Sequence, residues 1–62
     1  VKNNIAVIRK NKGISQKDLA ESIGITHWWL NHIESGKRNP SLGLAKSIAE
    51  KLGVKISDIF LD

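Results

Sequence analysis

Apolar residues recur along this chain at helical rather than strand spacing. Ile5 and Ile8 stand three apart, Leu19, Ala20 and Ile23 fall at i, i+1 and i+4, Leu30 and Ile33 at i and i+3, and Ala45, Ile48, Ala49 and Leu52 share one side of a longer stretch. None of these sets alternates with period two, so the pattern predicts helices. Small polar residues and glycines punctuate it. Ser15, Thr26 and Ser41 precede apolar-periodic segments, where a side-chain oxygen can accept from the unpaired N–H groups of a first turn, and Gly13, Gly24, Gly36 and Gly53 follow the ends of such segments. The expectation is a first helix within residues 2–12, a second capped by Ser15, a third over about 27–35, a fourth from about Leu42 to Leu52 and a short fifth from about Lys55. That makes an all-α fold, a compact bundle of four to five helices.

The stretch from Ser15 to Ser35 is the best determined. Ile14 precedes one cap and Leu19 follows it, and Ile25 and Leu30 repeat the arrangement around Thr26, so two hydrophobic staples set the entry angle of two helices. Gly24 suits a left-handed residue just past a helix end. Only Gly24 and Ile25 are then left to join the two helices, which forces a sharp angle between them. On the second of the pair, a step of about 100° per residue puts His27 at about 0°, Asn31 at about 40°, Ser35 at about 80°, Trp28 at about 100° and His32 at about 140°. Trp29, Leu30 and Ile33 fall on the opposite side. One face therefore carries groups able to donate hydrogen bonds, where an ordinary surface helix would carry Lys and Glu.

The run QxxLAxxxGI, then Thr26, then an apolar residue four further on, then IExGxRxPS, spans Gln16 to Ser41. It resembles the lambda-repressor-like, Cro-type (XRE) helix-turn-helix family of DNA-binding regulators. The resemblance covers most of the chain and implies a third helix in the major groove with the second lying across the backbone. It aligns His27, Trp28, Asn31 and His32 with base-facing positions. Asn31 suits adenine, either histidine suits guanine N7 or O6, and Trp28 suits apolar contact with a thymine methyl. It also implies that Gln16 contacts a phosphate and braces residue 27, and that Arg9 pairs with Glu34 in a structural ion pair. Gln16 joins Lys17, Thr26, Ser35, Lys37, Arg38, Asn39 and Ser41, at helix starts and in the loop after the third helix, as the expected phosphate contacts, which fix register without reading sequence. Because one such unit reads only a few base pairs, a homodimer is expected on a pseudo-palindromic, double-stranded operator, with half-sites about 34 Å or 10 bp apart. The implied function is a transcriptional regulator, a repressor of phage, plasmid or mobile-element type.

Composition bounds these readings. Sixty-two residues make one domain, 1–62, too small for a deep catalytic cleft. With no cysteine there is neither a disulfide framework nor a thiolate metal site. His27 and His32 are five apart, about 140° around a helix, whereas paired ligands on one face come at i, i+4. No catalytic residues, metal or cofactor are expected, and the chain is read as a non-enzyme. No apolar run approaches a membrane span and no signal-peptide core opens the chain, so the expected location is the cytoplasm, with no membrane partner. Ten Lys and Arg against six Asp and Glu give +4, and residues 1–17 and 35–49 contain bases but no acid, as a polyanion binder would. Lys10 and Lys12 also suit the negative end of the first helix without any ligand. The tail is more apolar than one turn can hide: part of Ile56, Ile59, Phe60 and Leu61 should close the core, and the remainder is a candidate dimer surface. A rival reading gives Trp28 and this tail to a protein partner, as a protein-interaction module or an antitoxin, since exposed aromatics anchor protein interfaces. A protein partner or an additional C-terminal domain accordingly belongs among the expectations.

Overall fold

The structure, a computed structural model, describes residues 2–61, with nothing assigned to the side chains of Lys2 and Leu61. In chain order it comprises β1 (Lys2–Asn3), α1 (Ile5–Asn11), α2 (Gln16–Ser22), α3 (His27–Glu34), α4 (Leu42–Leu52), α5 (Ile56–Ile59) and β2 (Phe60–Leu61). The fold is all-α, with one two-residue strand pairing at its ends. No helix among the described residues is long and apolar enough to cross a membrane.

Three helices begin by one device. The Ser15 hydroxyl accepts from the Asp18 N–H at 3.0 Å, Thr26 from Trp29 at 3.0 Å and Ser41 from Leu44 at 3.2 Å. Each bond satisfies a backbone donor that has no partner inside its own helix. α5 begins differently: the Lys55 N–H donates to Asp58 Oδ2 at 3.0 Å, so the acid three residues on closes the first turn. Helix ends follow a common rule as well. After each of α1 to α4 a glycine turns left-handed, and the next N–H donates to the carbonyl five residues back: Ile14 to Arg9, Ile25 to Ala20, Lys37 to His32 and Val54 to Ala49.

Inside the helices lies a single apolar cluster. Ile5, Leu30, Ile33, Ile48 and Ile59 are wholly buried, Leu19, Ala20, Ala49 and Leu52 nearly so, and Ile14, Ile23, Ile25, Trp29, Leu44, Val54, Ile56 and Phe60 pack around them. Ile14 and Ile25, the outer halves of the two staples, pack at the edge of the cluster that holds Leu19 and Leu30. α3 is thereby fixed from beneath by Leu30 and Ile33.

The chain ends depart from expectation. Residues 2–3 form a strand instead of the start of α1, because the Asn3 side chain accepts from the Ile5 N–H at 3.2 Å and donates to the Ile33 carbonyl at 2.8 Å, starting the helix only at Ile5. α5 lasts one turn before Phe60–Leu61 pairs antiparallel with Lys2–Asn3, Lys2 opposite Leu61 and Asn3 opposite Phe60. The Asn4 N–H continues the tie to the Ile59 carbonyl at 2.7 Å. Of the residues expected at a dimer surface, Ile59 is corrected. Ile59 is 0% exposed inside the chain's own core and cannot meet a partner, Ile56 and Phe60 are half-buried against that core, and the Leu61 side chain lies outside the described residues.

Candidate nucleic-acid interface

α3 is an eight-residue helix whose inner side is consumed by Leu30 and Ile33, which leaves His27, Trp28 and Asn31 exposed on the outer side. Among the described residues no hydrogen bond engages the side chains of His27 or Asn31. Trp28 is 58% exposed, and four residues on, its ring meets that of His32 at a centroid distance of 4.1 Å and a tilt of 42°. His32 is half-buried by that contact. Trp28 also lies 6.0 Å from the Trp29 ring at 28°. Trp29 is half-buried against the core, and the Arg38 guanidinium carbon stands 5.8 Å from its ring centroid, within cation–π range.

What holds α3 to α1 and α2 is a polar clasp. Arg9 Nε donates to Glu34 Oε2 at 2.9 Å and Arg9 Nη2 to Glu34 Oε1 at 3.1 Å, a two-pronged ion pair in which both side chains are less than a tenth exposed. The third guanidinium nitrogen, Nη1, donates to the Ile14 carbonyl at 3.0 Å. Gln16 Nε2 donates to Glu34 Oε1 at 3.1 Å. The brace expected from Gln16 toward residue 27 is thus directed at Glu34, at the far end of α3, because the buried carboxylate is the strongest acceptor within reach.

The remaining expected contacts are spread over α2, the α3 cap and the loop beyond. Lys17, Lys37 and Arg38 are exposed and in no ion pair among the described residues. Thr26 and Ser41 each use an oxygen as a cap acceptor and keep the hydroxyl hydrogen. Ser35 is otherwise engaged: its Oγ donates to the His32 carbonyl at 3.1 Å, so its hydrogen points back along α3. Asn39 is exposed and already takes part in an interaction within the chain. The Lys37 and Arg38 N–H groups both close on the His32 carbonyl, at 3.0 and 3.2 Å, which fixes the path of the basic loop beside α3. Among the described residues no group of three or more His, Asp or Glu could hold a metal ion.

Comparison with known proteins matches residues 5–59 to the helix-turn-helix family. The chain is an XRE-type helix-turn-helix domain. This helix-turn-helix domain is 43% identical over 61 residues to an HTH-type transcriptional regulator of Methanocaldococcus jannaschii, covering 98% of the chain and 92% of the relative. It is 36% identical over 59 residues to the immunity repressor protein of Bacillus phage phi105, covering 95% of the chain and 41% of the repressor. The crystal structure of SinR in complex with DNA, a Bacillus subtilis regulator of biofilm formation, superimposes with a TM-score of 0.78 at 33% identity, covering 86% of each chain. The helix-turn-helix domain therefore carries the DNA-binding fold of transcriptional regulators, a family of non-enzymes.

Sequence reasoning missed two features of the interface. One is the Gln16–Glu34 bond, which joins residues eighteen apart and has no local signature. The other is the tilted Trp28–His32 ring contact, for which the i, i+4 spacing of two rings was an available signal.

Proposed function

We propose that the protein is a transcriptional repressor that binds a pseudo-palindromic operator in double-stranded DNA as a homodimer, in the cytoplasm. α3 enters the major groove and α2 lies across the backbone. The observation that carries this reading is the outer side of α3, where His27 and Asn31 hold hydrogen-bonding groups that the fold leaves unused. Asn31 pairs with adenine and His27 donates to guanine, while Trp28 and His32 sit beside them toward the same groove. Gln16, Lys17, Thr26, Lys37, Arg38, Asn39 and Ser41 form the phosphate rim. Ser35 is a weaker member of that rim, since its hydrogen is already donated. The repressor role is supported by the likeness to a phage immunity repressor, and groove reading by the likeness to SinR, which was solved on DNA. Two copies are needed because an eight-residue helix spans only a few base pairs. They meet through the α5–β2 end, where Ile56 and Phe60 remain half-buried.

Selection of bound duplexes from a random pool tests these points together. The expected result is an enriched site with two-fold symmetry and half-sites about 10 bp apart. Asn31→Ala should then lose about 1–3 kcal/mol on that site and little on random duplex. Failure to enrich any sequence would overturn the reading and leave the exposed Trp28 to a protein partner.

A further inference from the structure

Trp28 is an unusual group for the outer side of α3: the most apolar of the exposed side chains there, and in contact with a second ring. The His32 ring meets it at 4.1 Å and the Trp29 ring lies 6.0 Å away, with Trp29 itself seated on the core. The tilted contact with His32 also changes what that residue can do. Its ring is turned against the indole and half-buried there, so the two side chains present one continuous, mainly apolar surface four residues long on the helix. That surface shares its helix with the polar His27 and Asn31, and the Lys37–Arg38 loop closes by its N–H groups on the His32 carbonyl, a setting that suits a polyanion better than an apolar protein groove. The floor of the major groove offers one apolar substituent, the methyl group at C5 of a pyrimidine.

We propose that Trp28 and His32 together form a shelf that selects a C5-methylated pyrimidine at one position of each half-site. This rests on the groove-reading proposal above and adds the chemistry of one of its positions. Thymine and 5-methylcytosine share the methyl group, so the shelf accepts either, and His32 contributes ring surface instead of a hydrogen bond to guanine.

The test uses the duplex enriched by selection, in which each thymine is replaced in turn by deoxyuridine, removing only the methyl. The unmodified protein should lose about fourfold in affinity at one thymine per half-site, the equilibrium equivalent of one buried methyl. Trp28→Ala, whose target is 58% exposed and outside the core, should fold normally by circular dichroism and bind the thymine and uracil duplexes equally at that position. Trp28→Phe and His32→Leu should keep the preference, and His32→Ala should weaken it. At the same position, 5-methylcytosine should bind more tightly than cytosine, and a gain there without a thymine effect would assign the shelf to methylated cytosine alone, overturning shared methyl selection. An enriched site indifferent to every uracil, or an equal uracil penalty in Trp28→Ala, would overturn the shelf while leaving groove reading intact. Equal binding of the enriched duplex by the unmodified protein and Trp28→Ala would also overturn it and release Trp28 to a protein partner. Absence of any enriched duplex would remove the underlying proposal as well.

Discussion

Glu34 is the residue on which most of the polar structure converges. Its carboxylate accepts from Arg9 twice and from Gln16 once, with less than a tenth of either charged side chain exposed. Forming such a pair in a low-dielectric interior gains little net energy, yet removing one member strands the other. Glu34→Ala should therefore destabilise the fold by about 3–5 kcal/mol, comparable with the whole stability of a domain of this length. Urea unfolding of that variant checks it, and a loss under 1 kcal/mol would mean that water reaches Arg9 freely. At this scale the sequence was legible where a residue's partner is local or belongs to a recurrent motif. Ser15, Thr26 and Ser41 were readable as caps from the apolar residues that follow them, and Arg9 and Glu34 from the resemblance. Gln16 was read toward its neighbour in the motif, and nothing local reveals that a buried carboxylate from α3 competes for its amide.

The joint between α2 and α3 is where backbone chemistry decides function. Gly24 has φ of 75°, and the N–H of Ile25 closes on the Ala20 carbonyl at 3.0 Å, so the chain reverses within two residues. A Cβ built there would meet nothing within 4 Å, which separates conformational strain from collision. Gly24→Ala should cost about 1–2 kcal/mol from the left-handed backbone alone. Thr26→Ala should cost about 1 kcal/mol by orphaning the Trp29 N–H. Thermal unfolding of both variants measures these losses; a neutral Gly24→Ala would show that the joint relaxes out of the left-handed region. Helix periodicity made α1 to α4 legible because each buries one face and carries its own start and stop residues. The ends were less so. β1 and β2 are two residues each, paired across nearly the entire chain, and local patterning carries no trace of a contact made over that separation. α5 was anticipated, but its conversion to strand at Phe60 depends on that same distant partner.

For the molecule as a whole the charge distribution governs how it meets DNA. Three exposed cations, Lys17, Lys37 and Arg38, belong to the proposed phosphate rim, so the proposed dimer would present six to the backbone. With about 0.9 counterions released per phosphate neutralised, the log–log dependence of affinity on salt should have a slope of about −5, and Lys37→Ala should reduce its magnitude by about 2. Fluorescence anisotropy across a salt series measures both, and an affinity independent of salt would refute the phosphate rim. Net charge pointed to a polyanion from the sequence alone, but only the folded chain shows Arg38 beside the Trp29 ring and the Lys37–Arg38 loop closed on the His32 carbonyl of α3. Lys2 stands opposite Leu61 and Asn3 opposite Phe60, so two short segments close a loop that holds every helix of the domain. Because the entropic cost of closing so long a loop rises only slowly with its length, a few residues inserted between α3 and α4 would add little to it.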